Sequence, residues 1–133
     1  MARRLILDTG VLVASERSAA GLSSVIEPDD DLTIAAVTVA ELRTGIELAT
    51  SRHRSRRTEF LVSVLEILPI EGYDLAVAEA HGRLLAHVHR SGETRGAHDL
   101  IIAATAAATG RTIVTSDRKA RFADLPGVEC IVA

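Results

Sequence analysis

The chain has 133 residues, of which 47% are hydrophobic and 2% aromatic, and its formal net charge is −3. This length suits one domain, residues 1–133, with a core made of Leu, Ile, Val and Ala. So few aromatic side chains argue against a surface on which successive nucleic-acid bases stack, and the acidic balance argues against a strongly basic protein that coats nucleic acid.

Cysteine content and apolar run lengths bear on the compartment. Cys130 is the sole cysteine, so no disulfide forms within the chain and a reducing compartment is the default. The longest apolar stretch, residues 100–108, is far shorter than the roughly 20 residues of a membrane-spanning helix. The apolar run at residues 5–7 is too short for a secretory signal. We therefore expect a cytoplasmic protein without a membrane segment.

Hydrophobic spacing in the first half of the chain indicates strands that alternate with helices. A strand at residues 3–7 stops at Asp8, and short helices follow at 11–17 and 18–26. The acidic run 29–31 is expected to be a solvated turn. The next predicted elements are a strand at 32–37, a helix that begins at Thr38, and a helix that carries Phe60, Leu61, Val64 and Leu65.

The second half continues the alternation. A brief strand at 67–70 contains Pro69 and should lie near a sheet edge. Asp74 caps a long helix that ends at Gly92, and a further helix at 97–109 ends at Gly110. The last predicted elements are a strand at 112–115, a helical turn at 118–123 and a strand at 128–132. This order predicts a three-layer α/β/α sandwich with a mainly parallel sheet of four to five strands.

Four acidic residues stand at related places in this pattern. Asp8 and Asp117 come just after predicted strands, whereas Glu41 and Asp99 lie near the beginnings of predicted helices. The carboxyl ends of parallel strands meet at one edge of a sheet, where crossovers leave a crevice. The sequence therefore predicts that the four carboxylates converge there.

Each acid also has a purely structural interpretation. Thr38 and Glu41 have the spacing of a capping box, in which Glu41 returns to the Thr38 amide. Asp99 complements the positive end of its helix, and Asp8 and Asp117 are ordinary turn residues after strands. The conjunction of all four favours a site over four independent structural roles.

Converging carboxylates repel one another unless a cation compensates. Oxygen-only ligands suit Mg²⁺, with Mn²⁺ as a possible substitute, whereas zinc prefers His or Cys. The five histidines show no spacing typical of a metal motif. Such a site favours phosphodiester hydrolysis, because the metal lowers the pKa of a water and stabilises charge on the phosphate and leaving oxygen.

Four segments in this order carry a family resemblance. They are residues 5–12 (LILDTGVL), 38–46 (TVAELRTGI), 97–105 (AHDLIIAAT) and 114–117 (VTSD). The ordered set resembles the PIN-domain ribonucleases, and in particular the VapC toxins of bacterial toxin–antitoxin pairs. The resemblance extends over essentially the whole chain.

The resemblance implies roles for individual residues. Asp8 and Asp99 match the principal magnesium ligands, and Glu41 and Asp117 complete the acidic site directly or through water. Thr115 matches a hydroxyl that orients a water or phosphate. Gly10 stands where the family usually has a serine, so one supporting hydroxyl is missing.

The resemblance also implies a magnesium-dependent endoribonuclease that forms a homodimer and is inhibited by a cognate antitoxin whose tail enters the site. Its RNA substrate would be transfer or ribosomal RNA before messenger RNA. The basic stretch 52–57 either grips RNA or the antitoxin or is a solvated helix start. Arg43, Arg95 and Arg118 are further candidates for RNA contacts.

Three alternative classes of protein can be weighed on the sequence alone, and the first two fit it poorly. A haloacid-dehalogenase-type phosphatase needs a second aspartate where Gly10 stands, and a receiver domain needs a lysine after a late strand, a position that Lys119 fits poorly. The third is a non-catalytic PIN-like module that binds RNA or protein. Such a module would keep its biological effect when Asp99 is replaced by Asn, whereas a nuclease would lose it.

Overall fold

Five parallel strands form one sheet in residues 2–17 and 25–133, the part of the chain that the computed structural model describes. The strands are β1 (Arg4–Leu7), β2 (Asp31–Ala35), β3 (Ile70–Glu71), β4 (Thr112–Thr115) and β5 (Cys130–Val132). Their order across the sheet is β3-β2-β1-β4-β5, and every neighbouring pair is parallel. β1 therefore lies at the centre of the sheet.

Helices connect the strands and cover both faces of the sheet. They are α1 (Thr9–Arg17), α2 (Ala36–Glu47), α3 (Ser51–Ile67), α4 (Leu75–Ser91) and α5 (Ala97–Thr109), with 3₁₀ turns at Arg118–Ala120 and Phe122–Asp124. Within the described ranges, none of the helices is long and apolar enough to cross a membrane.

Side chains of β1 point alternately to the two faces of the sheet, and each face has its own part of the core. Leu5 and Leu7 pack in a buried cluster with side chains of α1, α2 and α3, while Ile6 packs in a second cluster with α4 and α5. Successive strand residues point to opposite faces, so a strand that is buried on both sides is apolar throughout. The predicted three-layer α/β/α sandwich is confirmed.

Three helix ends follow the predicted signals. The Asp74 carboxylate accepts a hydrogen bond from the Val77 amide (3.0 Å) and caps α4. Gly92 and Gly110 end α4 and α5 with φ of 69° and 66°, a left-handed conformation that glycine adopts without steric cost.

Two predicted elements were placed wrongly. The chain reverses directly after β2, so α2 begins at Ala36 instead of Thr38, and its N-cap is Ala35, which makes no side-chain cap hydrogen bond. The capping-box interpretation of Thr38 and Glu41 is therefore wrong. The strand predicted at 67–70 is also wrong, because α3 continues through Ile67 and β3 contains only Ile70–Glu71. The expected edge position of β3 is confirmed.

The segment between α1 and β2 departs from expectation as far as it is described. Most of the helix predicted at 18–26 lies outside the described residues. In the acidic run, Asp30 is an ion-pair partner and not a freely solvated residue, because its carboxylate accepts from Arg3 at 2.6 and 2.9 Å. This pairing lowers the pKa of Asp30.

The Arg111 side chain contacts three strands of the sheet. Its side chain is only 6% exposed. The guanidinium donates to the carboxylates of Asp31 (3.0 Å) and Glu71 (3.0 Å) and to the carbonyls of Leu5 (3.2 Å) and Asp31 (3.1 Å). A single side chain that enters the sheet beside β4 thus contacts β1, β2 and β3.

Replacing Arg111 by Met should destabilise the protein by about 3 kcal/mol, the lower end of the range for removing one partner of a buried ion pair. The loss arises because two carboxylates and two carbonyls lose their donor while the aliphatic stem is kept. Urea denaturation measures the change. Arg83→Met, at an exposed arginine of α4, should change the free energy of unfolding by less than about 0.5 kcal/mol. Equal effects of the two changes would contradict the role of Arg111.

Candidate active site

The pairing of β1 with β4 brings two of the four acids to the same edge. Leu7 pairs with Val114 in parallel register, and the Asp8 amide continues the ladder by donating to the Val114 carbonyl (3.0 Å). Asp8 and Asp117 therefore follow neighbouring strands at the carboxyl edge of the sheet, as predicted from their positions in the sequence.

Asp8 is the most buried of the four acids, at 6% exposed. One of its oxygens, Oδ1, accepts from the Val11 amide (3.0 Å) at the start of α1, and the other accepts from the Thr115 hydroxyl. Burial raises the pKa of Asp8, these two hydrogen bonds oppose the rise, and the charges of Asp117 and Glu41 add to it. Asp8 is thus a helix-capping residue and a candidate site residue at once.

Thr115 joins the first and last acids. Its side chain is buried, and its hydroxyl donates to Asp8 Oδ2 while accepting from the Asp117 amide (3.0 Å). A hydroxyl has only one proton to donate, and here Asp8 receives it. This geometry makes Thr115 a residue that orients two acids, instead of one that donates to a water or phosphate.

Glu41 is held by residues from two other helices. The Thr9 hydroxyl donates to Glu41 Oε1 (2.7 Å), and His98 Nδ1 lies 3.5 Å from Glu41 Oε2. Thr38, which the capping box assigned to Glu41, lies instead with its hydroxyl oxygen 3.3 Å from that of Thr9. Glu41 faces the crevice because α1 and α5 converge on it.

Asp99 stands in the first turn of α5, close to the other acids. Burial raises the pKa of its carboxyl, and the charges of Asp117, Asp8 and Glu41 raise it further, while His98 opposes the rise. Asp99 and Asp117 also line one small cavity, so these two acids lie close together at the carboxyl edge of the sheet.

A glycine leaves room for one of these acids, Asp99. A Cβ atom built on Gly96 would lie 2.9 Å from Asp99 Oδ2, so a side chain at residue 96 would displace that carboxylate. A Cβ on Gly10 would lie 3.4 Å from Ser116 Oγ and 3.6 Å from Asp8 Oδ1. The hydroxyl of Ser116 therefore lies beside Gly10, the position at which the resemblance implies a serine.

The donor set fits a hard divalent cation. Asp8, Glu41, Asp99 and Asp117 offer only oxygen ligands, and no Arg or Lys within the described residues forms an ion pair with any of them. Acids elsewhere, such as Asp30 and Asp31, do have arginine partners. Mutual repulsion at this edge is thus compensated by hydroxyls and amides but not by a basic side chain.

The arrangement is open rather than tightly clustered. Across residues 2–17 and 25–133, the only trio whose ligand atoms all lie within 4.8 Å of one another is Glu27, Asp29 and Asp30, outside this site. Mg²⁺ usually keeps several waters and binds one or two carboxylates directly. Two direct ligands, with the other acids acting through water, agree with this spacing.

The Arg95 side chain packs against the neighbouring turn instead of extending into solvent. Its side chain is 5% exposed, and its guanidinium donates to the carbonyls of Ala120 (2.6 Å) and Arg121 (3.0 Å). Arg121 has φ of 48°, a left-handed conformation. The expectation that Arg95 reaches out to RNA is wrong, because the side chain fastens the turn that follows Asp117 to the loop before α5.

Fold and site together define a three-layer α/β/α protein with an acidic crevice at the carboxyl edge of a parallel sheet. Residues 5–128 match the PIN domain family. The chain belongs to this family. It is 37% identical over 129 residues to ribonuclease VapC5 of Mycobacterium tuberculosis, an alignment that covers 95% of this chain and 90% of the relative.

Solved structures agree with this assignment. VapBC-5 from Mycobacterium tuberculosis, a member of the VapBC family of toxin–antitoxin systems, matches with a TM-score of 0.80 and 32% identity over 98% of each chain. VapBC2 from Rickettsia felis, bound to a DNA fragment from its promoter, matches with a TM-score of 0.86 over 98% of each chain. At 22% identity, the second match supports the fold alone.

The sequence did not single out several residues that shape the site. Thr9 directly follows Asp8, and Gly96 lies three residues before Asp99, so both were near recognised positions. Their roles depend on which helices converge, and local spacing does not report that. The histidine spacing gave no role to His98, whereas its Nδ1 lies 3.5 Å from Glu41 Oε2.

Asp99→Asn should raise the melting temperature of the metal-free protein at neutral pH by a few degrees. A carboxyl whose pKa is higher in the folded than in the unfolded chain destabilises the fold when ionised, and this cost disappears as the pH falls below the raised pKa. The advantage of the variant should therefore shrink on acidification. Thermal unfolding in a chelator at several pH values measures it.

The matched control is Asp124→Asn, which removes one charge from an exposed acid outside the crevice and should leave the melting temperature unchanged. An Asp99→Asn protein that melts below the parent at neutral pH without divalent cations would contradict repulsion at this edge.

Proposed function

We propose that the protein is a magnesium-dependent endoribonuclease and the toxin of a toxin–antitoxin pair. One observation carries the proposal: Thr115 contacts both Asp8 and Asp117, the Thr9 hydroxyl next to Asp8 contacts Glu41, and Asp99 lines one cavity with Asp117. No arginine or lysine within the described residues forms an ion pair with these four acids. The VapC ribonucleases among the relatives support RNA as the substrate.

Asp8 and Asp99 would hold the cation, with Glu41 and Asp117 acting directly or through water. Mg²⁺ bound there, or Mn²⁺ as a substitute, would lower the pKa of a water and offset negative charge on the phosphate. Hydrolysis then joins the water oxygen to phosphorus, breaks one phosphorus–oxygen bond and leaves a proton on the departing oxygen.

The chain's own hydroxyls keep the acids in place for this chemistry. Thr115 holds Asp8 Oδ2, and Thr9 holds Glu41 Oε1. In each acid one oxygen is thereby fixed, which limits rotation of the carboxylate. Fixed ligands lower the reorganisation that accompanies the reaction.

The resemblance found in the sequence supports a wider assignment, which we add to the proposal. We assign residues 1–133 to one nuclease domain that acts in the cytoplasm as a homodimer and binds a cognate antitoxin. Transfer or ribosomal RNA is the proposed substrate. The solved structure of VapBC-5, a member of a family of toxin–antitoxin systems, supports a protein partner.

Mapping RNA 5′ ends tests the activity. Purified protein is incubated with ribosomes and total RNA, with and without magnesium. We expect cuts at defined positions that require magnesium. Asp8→Asn and Asp99→Asn should each reduce cleavage about 100-fold or more, since changes to residues that only support metal ligands already cost 10- to 100-fold.

Asp124→Asn should cut like the parent and is the matched control. A folded parent that cuts no RNA under any condition would contradict the nuclease and favour a binding module. Cuts that persist in both site variants would place the chemistry elsewhere.

Magnesium should also stabilise the fold. A cation that binds only the folded protein stabilises it by about 2.7 kcal/mol at 100 times its dissociation constant. We expect the melting temperature of the parent to rise on titration with magnesium and that of Asp99→Asn to rise much less. Equal rises would assign the effect to another group, such as the Glu27, Asp29 and Asp30 trio, and no rise in the parent would contradict the proposed metal centre.

A further inference from the structure

A cavity of about 520 Å³ opens between α1, α2 and α3, beside the acidic crevice. Its volume lies within the range of about 300–1,000 Å³ that is typical of small-ligand sites. Val13, Leu42 and Phe60 provide apolar surface, and Thr9 and Glu41 form part of its wall. The cavity is therefore continuous with the candidate active site.

The cavity has a mixed lining of three arginines and two glutamates, with one net positive charge. Arg17, Arg56 and Arg57 line it together with Glu16 and Glu41. Glu16 lies 3.9 Å from Arg56 Nε, and Glu41 belongs to the acidic site. The outer part of the cavity thus offers guanidinium groups, which suit phosphate oxygens.

Phe60 is only partly buried and packs against the cluster that contains Val13 and Leu42. Arg56 precedes Phe60 by four residues on α3, so the two side chains lie on the same helix face, one turn apart. Arg57 is held in place because its Nη1 donates to the Gly45 carbonyl (2.9 Å). An aromatic ring, the hydrogen-bonded guanidinium of Arg57 and the largely exposed guanidinium of Arg56 share one cavity.

We infer that this cavity is a subsite for a nucleotide that flanks the scissile phosphate of the RNA. The base contacts Phe60 and the apolar wall, and the adjoining phosphate contacts Arg56 and Arg57. This inference rests on the proposed ribonuclease function and assigns part of its substrate recognition to residues outside the metal centre. The scarcity of aromatic residues excludes an extended stacking platform, but a single base needs only one ring.

Within the basic stretch 52–57, the structure distinguishes three uses of arginine. Arg54 donates to the carbonyls of Ile46 (3.3 Å), Glu47 (3.4 Å) and Ala49 (3.1 Å) at the end of α2. Arg56 and Arg57 line the cavity, whereas Arg52 is exposed and is not among the described lining residues. Arg52 is therefore a control on the same helix with the same charge.

Fluorescence anisotropy with a labelled RNA that carries the mapped cut site tests the subsite. The Asp99→Asn background prevents cleavage. We expect Arg56→Gln to weaken binding and lower the slope of log affinity against log salt by about one. Phe60→Leu should weaken binding at least about fivefold with the salt slope unchanged, as loss of one stacking contact predicts.

Arg52→Gln should bind RNA like the background protein, and the melting temperature of each variant reports whether it is folded. If folded Arg56→Gln and Phe60→Leu bind RNA normally while the parent still cuts it, the subsite is overturned and the ribonuclease stands. Normal RNA binding with lost capture of a co-expressed antitoxin overturns it in favour of a protein partner. A parent that neither binds nor cuts RNA overturns both proposals.

Discussion

A buried carboxylate at the edge of a parallel sheet is the constraint on which the rest of the site depends. Asp8 follows the central strand, has neighbours on both sides and is shielded from water, so burial raises its pKa. Two donors make this position tolerable: the Val11 amide and the Thr115 hydroxyl. The first exists because α1 begins immediately, and the second because β4 pairs with β1. The fold therefore buries the Asp8 carboxylate, which is unfavourable for its charged form. The same local geometry supplies the two groups that donate hydrogen bonds to this carboxylate.

Charge is managed differently elsewhere in the molecule. Arg111 neutralises Asp31 and Glu71 from within the sheet, and Arg3 neutralises Asp30. In a chain whose basic residues are almost all arginines, the four site acids have only hydroxyl, amide and histidine partners among the described residues. An arginine at this edge would stabilise the protein but would occupy the carboxylate oxygens that a cation needs. Stability and metal binding compete for the same atoms, and this sequence resolves the competition by leaving the edge acidic.

The sequence predicted what depends on strand ends and on strong local signals. Asp8 and Asp117 follow strands with clear apolar patterns, and Gly92 and Gly110 are distinct helix terminators, so these features were correct.

Errors arose where tertiary packing overrides spacing. The spacing of Thr38 and Glu41 is that of a capping box. In the structure, however, the hydroxyl of Thr9 at the start of α1 donates a hydrogen bond to Glu41. Pro69 marked an edge strand, yet packing of α3 extends the helix to Ile67. Arg95 was a candidate for RNA contacts, and only the folded turn reveals its two carbonyl partners.

Thr9 links the acidic site to the neighbouring cavity. Its hydroxyl donates to Glu41 Oε1, and the same residue and Glu41 form the wall of the cavity. A group that enters between α1 and α3 therefore lies next to a hydrogen bond that orients a site carboxylate. Small displacements of catalytic groups are costly because reactive geometry tolerates little misplacement. A group bound in the cavity that preserves the Thr9–Glu41 hydrogen bond would leave the four carboxylates in place. A group that breaks this hydrogen bond would move Glu41 without contacting Asp8 or Asp99. In the proposed nuclease, recognition in the cavity and chemistry at the carboxyl edge of the sheet would thus be coupled through the Thr9 hydroxyl.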